Sequence, residues 1–224
     1  MKPRILPWLG AGLLALSAAS ATFSLPAFAQ PAADEMRQAL QLGGRVAAGE
    51  EAFAVCQGCH RVGALGREDG SYPRLAGQHA SVLIKQITDI RAGRRQNLKM
   101  HPFAAENVLG VQDIADIAAY LQQLPVPPDQ GRGSGQAAAL AQGRSTYLQD
   151  CARCHGSGGE GDAARFMPRL AGQHYRYLLR EMRMIRDGER RNANPEMVEL
   201  IRNRSDDELA AVADAISRFG AAGN

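Results

Sequence analysis

Two short segments carry all four cysteines of the chain; they read CQGCH at 56–60 and CARCH at 151–155. Cys-x-x-Cys-His is the attachment sequence of c-type haem, in which both thiols bind the haem vinyl groups and the histidine ligates the iron. We therefore predict two covalently attached haem c groups. The predicted attachment residues are Cys56, Cys59, Cys151 and Cys154, and the predicted iron ligands are His60 and His155.

Paired cysteines also occur in disulfide frameworks, structural zinc sites and thioredoxin-type redox centres. A disulfide framework does not require a histidine after each pair, and such frameworks usually stabilise much shorter chains. In a common zinc arrangement about 15–20 residues separate two cysteine pairs, whereas 91 residues separate the two pairs here. A thioredoxin-type pair is found in a βαβ setting, which this sequence does not predict. Haem attachment is therefore the favoured interpretation.

The two motifs belong to a longer internal repeat with an offset of 95 residues. Residues 72–97 (YPRLAGQHASVLIKQITDIRAGRRQN) align with residues 167–192 (MPRLAGQHYRYLLREMRMIRDGERRN), and the segment PRLAGQH is identical in both. A register kept over this length indicates a duplicated domain rather than two chance motifs. Between the copies, residues 125–136 read PVPPDQGRGSGQ. This mixture of proline and glycine is typical of a linker.

Apolar residues in each copy recur at helical spacing, and no long alternation of β-branched residues predicts a strand. Helices are also expected to run into each cysteine motif, from about Val46 and Leu140. Ser205 and Glu208 fit a capping box at the start of the last helix. The predicted fold class is all-α, with two tandem domains of about three main helices each. The apolar stripes are Leu83, Ile87 and Ile90; Ile114, Ile117, Ala118 and Leu121; Leu178, Met182 and Ile185; and Leu209, Val212, Ala213 and Ile216.

The N-terminal segment has the features of a secretory signal peptide. Lys2 and Arg4 form a short basic start, residues 5–26 carry no charge, and AFA at 27–29 fits a small-x-small cleavage pattern. We predict cleavage directly after this pattern and export to the bacterial periplasm. An uncleaved membrane anchor is the alternative, because the uncharged run is long enough to span a bilayer. The serines and Pro26 within the run argue against the anchor.

The expected organisation has four parts: a signal peptide at 1–29, a first domain at 30–126, a linker at 127–136 and a second domain at 137–224. The formal net charge of the full chain is +3. Loss of the two basic leader residues lowers it to about +1, and a nearly neutral mature chain gives no reason to expect nucleic-acid binding.

The sixth ligand decides whether each haem iron is closed or open to small molecules. In the first copy Met100 is the only methionine after the cysteine motif, so it is the predicted ligand, with His101 as its rival. In the second copy the strict offset places Pro195 opposite Met100. Met197, two residues further on, is the predicted ligand there. Met167, directly before the second PRLAGQ segment, is interpreted as a packing residue.

Pro73 and Pro168 open the repeated PRLAGQ segment. A neutral ligating histidine needs an acceptor for its second ring nitrogen, and a backbone carbonyl is a common one. We predict that the carbonyls of Pro73 and Pro168 accept from the two ligating histidines; a purely turn-forming role is the alternative. His79 and His174 close the same segment, and we expect them to be exposed or hydrogen-bonded at the surface.

The segments FAVCQGCH and YLQDCARCH, the paired PRLAGQ segments and the downstream methionines resemble the di-haem class I cytochromes c, most closely the cytochrome c4 type. The resemblance covers the whole mature chain. It implies two class I cytochrome c domains related by a pseudo-twofold axis, with the haem edges facing one another across the interface. It also implies His–Met ligation of both irons, by His60 with Met100 and by His155 with Met197.

Two features depart from the pattern of that family. Arg61 follows the first motif, where glycine is usual, as at Gly156. The first copy also has one residue fewer before its motif, since Gly49 precedes the first cysteine by seven positions whereas Gly143 precedes its counterpart by eight. Neither feature involves a predicted ligand.

The predicted function is outer-sphere electron transfer, in which each haem takes up and passes on one electron, so the chain is not itself expected to be an enzyme. The expected partners are redox proteins, namely a quinol–cytochrome c reductase, a terminal oxidase or a dehydrogenase; peripheral membrane association stays open. Two alternatives remain. The chain could be the haem subunit of a larger enzyme, such as a flavocytochrome c sulfide dehydrogenase. It could also be a di-haem peroxidase, although that activity needs an open iron site.

Overall fold

The computed structural model describes residues 30–127 and 131–220, with side chains from residue 34 onward. The expected signal peptide lies outside the described residues. Within them the chain is helical, and its only extended pairing is an isolated bridge between Asp162 and Met167. The prediction of an all-α fold is confirmed. In the described ranges no helix has the length and apolar character needed to cross a membrane.

Residues 30–127 form one helical domain, in which short 3-10 turns at Ala54–Cys56, Val62–Ala64 and His101–Ala104 join the α-helices. The two predicted apolar stripes of this copy lie on its helices Ala80–Arg91 and Val111–Gln123, and the helix expected from about Val46 enters the cysteine motif. The α-helices are α1 (Gln30–Gln41), α2 (Val46–Phe53), α3 (Gln57–His60), α4 (Ala80–Arg91) and α5 (Val111–Gln123).

Residues 131–220 form the second helical domain, which repeats the order of α2 to α5 with one additional helix before the last. A π-helical turn at Tyr147–Cys151 leads into its cysteine motif. The last helix starts with the predicted capping box, in which Ser205 Oγ accepts from Glu208 N at 3.3 Å and Glu208 Oε2 accepts from Ser205 N at 2.9 Å. The α-helices are α6 (Ala137–Thr146), α7 (Ala152–His155), α8 (Tyr175–Arg186), α9 (Pro195–Ile201) and α10 (Asp206–Ile216).

Each domain has a hydrophobic core of its own. Phe53, Ile114 and Leu121 are fully buried in the first core. Tyr147 and Leu209 are buried to the same extent in the second core. Burying one large apolar side chain contributes roughly 1.5–3 kcal/mol, so each core stabilises its own domain without residues from the other.

A glycine lets the helix before each cysteine motif approach the last helix of its domain. A Cβ atom at Gly49 of α2 would lie 2.1 Å from the backbone oxygen of Asp116 in α5. One at Gly143 of α6 would lie 2.0 Å from the backbone oxygen of Ala211 in α10. Only a residue without a side chain permits these crossings, which fix where each cysteine motif enters its domain.

The additional residue of the second copy is taken up as a π-helical turn. The first copy enters its motif through the tight 3-10 turn at Ala54–Cys56, and the second through the wider turn at Tyr147–Cys151. Single π-helical turns inside α-helices are a known way to absorb one residue. The glycine crossing and the cysteine motif can therefore both be kept, although the spacing between them differs.

Two helices escaped the sequence-based prediction. Helix α1 packs on the first core through Met36 and the fully buried Ala39. Helix α9 begins at Pro195, and its N-cap Asn194 accepts from Glu196 N at 2.8 Å through Oδ1. The Asn-Pro pair was the available sequence signal, since proline is favoured in the first turn of a helix.

The two domains meet through reciprocal hydrogen bonds between equivalent residues of the PRLAGQH repeat. Gln78 Nε2 donates to the backbone oxygen of Arg169 at 3.0 Å, and Arg169 N donates to Gln78 Oε1 at 2.9 Å. Gln173 and Arg74 form the same pair, at 2.9 and 3.0 Å. This exchange is what a pseudo-twofold relation between the copies requires. The PRLAGQH segments of the two copies are therefore identical at positions that bind each other across the interface.

The two histidines of the repeat also lie in this interface. His79 Nε2 is 2.8 Å from the backbone oxygen of Glu160, and His174 Nε2 is 2.7 Å from that of Leu65, the equivalent residue of the other copy. The expected surface position is wrong for His174, which is only 1% exposed. Sequence periodicity within one copy carries no information on contacts made by the other copy.

Candidate functional site

The two cysteine motifs lie on the single-turn helices α3 and α7. Both histidines at their ends, His60 and His155, are 8% exposed, whereas the four cysteines are half-buried and form no disulfide. Burial raises the pKa of the Cys56 thiol, and it raises that of Cys151 to about 11. Among the described residues no three His, Cys, Asp or Glu side chains gather as in a zinc site.

Each buried histidine has its Nδ1 atom at a proline carbonyl. His60 Nδ1 is 3.3 Å from the backbone oxygen of Pro73, and His155 Nδ1 is 3.1 Å from that of Pro168. The second nitrogen, Nε2, is then the atom that could bind iron. Burial lowers the pKa of both imidazoles, although the proline carbonyls act in the opposite direction. Both rings are therefore held in the neutral form that ligates metals.

The residue before each of these prolines lies near the histidine of its cysteine motif. The Tyr72 ring lies edge-on to the His60 ring, with 5.9 Å between the ring centroids. A hydrogen bond between the Tyr72 hydroxyl and the Cys59 sulfur raises the pKa of the tyrosine. Met167, the counterpart of Tyr72, forms the isolated bridge with Asp162. Met167 also lines a cavity together with His155 and Met197, so its interpretation as a packing residue stays a prediction.

A cavity of about 540 Å³ opens beside the second motif and extends to the domain interface. Its wall contains both His155 and Met197, together with apolar side chains of α8 and α10 such as Leu178 and Leu209. A largely apolar cavity with a histidine ring and the thioethers of Met167, Met182 and Met197 in its wall suits a flat, largely hydrophobic prosthetic group bound through its metal.

Two arginines of the repeat, the buried Arg74 and the half-buried Arg169, also line this cavity. Arg74 is 3% exposed, and its Nε and Nη2 atoms have no hydrogen-bond partner among the described residues. The Nε atom of the equivalent Arg169 is buried without a described partner as well. Buried guanidinium groups require anionic or strongly accepting partners, and the two propionate groups of a haem are of this chemistry. The residues present therefore fit a haem.

The two predicted methionine ligands lie in different local structures. Met100 is half-buried directly before the 3-10 turn, and its backbone N–H donates to Asn97 Oδ1 at 3.1 Å. His101, its rival, is exposed. Met197 lies inside α9, which starts at Pro195. The two-residue slip between the copies thus coincides with a helix that only the second copy has.

The cytochrome c family model matches residues 46–125 and 140–214, one match for each domain. The chain belongs to the cytochrome c family. Since each domain supplies its own Cys-x-x-Cys-His motif, this cytochrome carries two covalently bound haem c groups, at Cys56 with Cys59 and at Cys151 with Cys154.

Proteins similar to this cytochrome are electron-transfer proteins. It is 36% identical to a thiosulfate dehydrogenase electron acceptor from Stutzerimonas stutzeri (strain A1501), over 75% of this chain and 81% of the relative. It is 34% identical to cytochrome c4 from Pseudomonas aeruginosa, over 77% of this chain and 88% of the relative. The solved structure of reduced cytochrome c4 from Pseudomonas stutzeri superposes with a TM-score of 0.68 at 28% identity, covering 79% of this chain and all of that one. These likenesses identify a di-haem electron-transfer cytochrome of the c4 type.

Arg74 and Arg169 are candidate functional residues that the motif search did not single out. They were visible as part of the identical PRLAGQH segment. A charged residue that is identical in both copies of a duplicated segment indicates that it has the same role in each copy. Only the structure shows that both arginines line the cavity beside the second motif.

Proposed function

We propose that this cytochrome is a periplasmic carrier that moves single electrons through two His–Met haems, His60 with Met100 and His155 with Met197. The observation that carries the proposal is the shared wall of the second cavity, which holds His155 and Met197 together. A methionine sixth ligand closes the iron and raises its reduction potential, which favours electron transfer over chemistry on peroxide or gases.

The chain's own residues position and shield the two redox centres. Pro73 and Pro168 fix the orientation and tautomer of the two ligand histidines. Apolar side chains keep the second cavity dry, and Arg74 and Arg169 offer cations in its wall to the haem carboxylates. When bound, the haem irons supply the Fe(II)/Fe(III) couple. A rigid, dry surrounding limits the reorganisation that accompanies each electron transfer.

The proposed partners are redox proteins that deliver and remove single electrons. Because one similar protein bears the name thiosulfate dehydrogenase electron acceptor, a periplasmic dehydrogenase is the proposed donor, and a terminal oxidase is the proposed acceptor. The haem subunit of a larger dehydrogenase is the second candidate, since the same electron acceptor role would suit it. A co-purifying catalytic subunit would distinguish this subunit from a freely diffusing carrier.

The weak near-red band of ferric Met-ligated haem tests the proposed ligands. In the purified holoprotein we expect two equivalents of this band, one lost in Met100→Leu and the other in Met197→Leu. Met182→Leu is the matched control, because Met182 is buried in the second core and is not a proposed ligand. A band that survives in Met197→Leu would show that this ligand is wrong and would reopen the peroxidase alternative.

Location is tested separately by cell fractionation. The holoprotein is expected in the periplasmic fraction of the expressing bacterium, with a mature chain that starts at Gln30. A mature chain that retains residues 1–29 and sediments with membranes would instead support the uncleaved anchor.

A further inference from the structure

Four side chains from both domains form a closed hydrogen-bonded ring at the domain interface, called here the interface ring: Gln86, Arg95, Glu181 and Arg190. Arg95 donates to Gln86 Oε1 at 3.0 Å and to Glu181 Oε2 at 3.1 Å. Arg190 donates to the same two oxygens, at 3.2 and 2.8 Å. Each arginine therefore bridges one acceptor of its own domain and one acceptor of the other.

The interface ring is symmetric in geometry and asymmetric in charge. Gln86 and Glu181 are equivalent positions of the duplication, as are Arg95 and Arg190. Two guanidinium groups thus face one carboxylate and one neutral amide, which gives the ring an excess of one positive charge. Burial alone would raise the pKa of Glu181, but Arg190 and Arg95 hold it below its ordinary value, so this residue stays ionised.

Neighbouring charges do not cancel this excess. Arg180 donates to Glu181 Oε1 at 2.9 Å and adds a further cation. Asp89, which lies beside the ring, already has two basic partners in Lys85 and Arg94. The ring and the charged residues beside it therefore carry a net positive charge.

The ring is largely buried and lines the cavity of the second haem site. The side chains of Arg95, Arg190 and Glu181 are 12%, 17% and 9% exposed. All four ring residues lie in the wall of the cavity that also contains His155. Charges in such a position are weakly screened by solvent and salt and act strongly on a neighbouring redox centre.

We propose that the interface ring is an electrostatic tuning site that raises the reduction potential of the second haem across the domain boundary. One electron from a redox partner converts Fe(III) to Fe(II) and removes one positive charge from the haem site. A net positive ring stabilises the reduced form relative to the oxidised form. Through Arg95, the first domain contributes to the reduction potential of the haem in the second domain. The proposal depends on the presence of the haems and not on the identity of their sixth ligands or partners.

Gln86→Glu is the central test, because it completes the twofold symmetry of the ring and cancels its excess charge. A potentiometric titration of the holoprotein, followed by haem absorbance, should show a fall in the midpoint of the second haem, which is the midpoint lost when Cys151 and Cys154 are replaced by alanine. Gln123→Glu is the matched control, since it places the same charge on an exposed position of the same domain. The proposal is overturned if the midpoint of the second haem falls by no more than in the control.

Two further variants separate charge from structure. Glu181→Gln should raise the same midpoint, provided that the two arginines tolerate the loss of their carboxylate. The exchanged variant Gln86→Glu/Glu181→Gln keeps the total charge, so its midpoints should lie closer to those of the native protein than those of Gln86→Glu do. An exchanged variant that departs further than Gln86→Glu would mean that packing, not charge, governs the potentials, and would also overturn the proposal.

Discussion

Gln173 in the second domain and Arg74 in the first are joined by two hydrogen bonds through the backbone of the arginine. Gln173 Oε1 accepts from Arg74 N at 3.0 Å, and Gln173 Nε2 donates to the backbone oxygen of Arg74 at 2.9 Å. The glutamine side chain thereby satisfies both backbone groups of a residue in the other domain, as a neighbouring strand would do in a sheet. Gln78 and Arg169 repeat the arrangement in the opposite direction.

Gln78→Ala and Gln173→Ala are expected to destabilise the docked pair of domains. Each substitution leaves the backbone N–H and C=O of one arginine in the other domain without their hydrogen-bond partners. A buried donor or acceptor left unsatisfied costs about 1–3 kcal/mol. Denaturant titration of the holoprotein should show this loss in the free energy of unfolding. Gln123→Ala, on the exposed face of α5, serves as the control. Losses no larger than in this control would mean that the glutamines do not hold the domains together.

Gly49→Ala and Gly143→Ala are expected to destabilise their own domains. The added methyl groups would lie 2.1 and 2.0 Å from backbone oxygens of the facing helices, so the helices must separate. Overpacking of this kind costs about 1–3 kcal/mol, measurable by thermal or denaturant unfolding. Gly43→Ala has open space around its Cβ position and provides the comparison. Equal stability of the three variants would show that the crossings are looser than the structure indicates.

Arg61→Gly is expected to stabilise the first domain. Arg61 has φ 68° and ψ 164°, a backbone region that is almost restricted to glycine and costs about 1–3 kcal/mol for other residues. Gly156 occupies the equivalent position with φ 79° and ψ 157°. After the greater entropy loss of glycine is subtracted, a net gain of about 1 kcal/mol remains.

Arg61→Ala separates backbone strain from charge, because it removes the guanidinium but keeps the Cβ atom. It should not give the gain in unfolding free energy that Arg61→Gly gives. The reverse change, Gly156→Ala, should destabilise the second domain. If Arg61→Ala stabilised the protein as much as Arg61→Gly, removal of the charge would explain the gain, and the strain interpretation would be wrong.

Asp116 is expected to make the stability of the first domain depend on acidic pH. Its carboxylate is 1% exposed and accepts from Arg45 N at 2.8 Å. Burial would raise its pKa, but the bonds from Arg45 and Gln112 lower it below the ordinary value. The unfolded chain therefore binds a proton more readily than the folded chain. The stabilisation is present above about pH 4, where unfolded Asp is ionised, and is lost as pH falls through the lower pKa of the folded state.

Unfolding free energies measured across this acidic range test the assignment. Asp116→Asn should flatten the pH dependence relative to the native protein, whatever its effect on absolute stability. Asp207→Asn, at an exposed position in the first turn of α10, should leave the slope close to native. If Asp116→Asn kept the pH dependence of the native protein, groups other than Asp116 would cause the acid sensitivity.

Local sequence patterns determined the chemistry and the helices of each domain. The spacing of Cys56, Cys59 and His60 specifies haem attachment because three atoms on one helical turn must meet one porphyrin. The stripes of α4, α5, α8 and α10 follow from the 3.6-residue helical period. Helix α1 was missed because Met36 and Ala39 form too short a pattern beside an apolar leader.

Relations between the two copies were decided only by the tertiary structure. The repeat showed that Gln78 and Gln173 are equivalent, but not that each binds the backbone of the other domain. It likewise gave no sign that His174 is buried, or that Gln86, Arg95, Glu181 and Arg190 meet. Such contacts join residues about a hundred positions apart, so no local periodicity records them. The sequence specified two haem-binding helical domains, and their docking placed a charged ring between them.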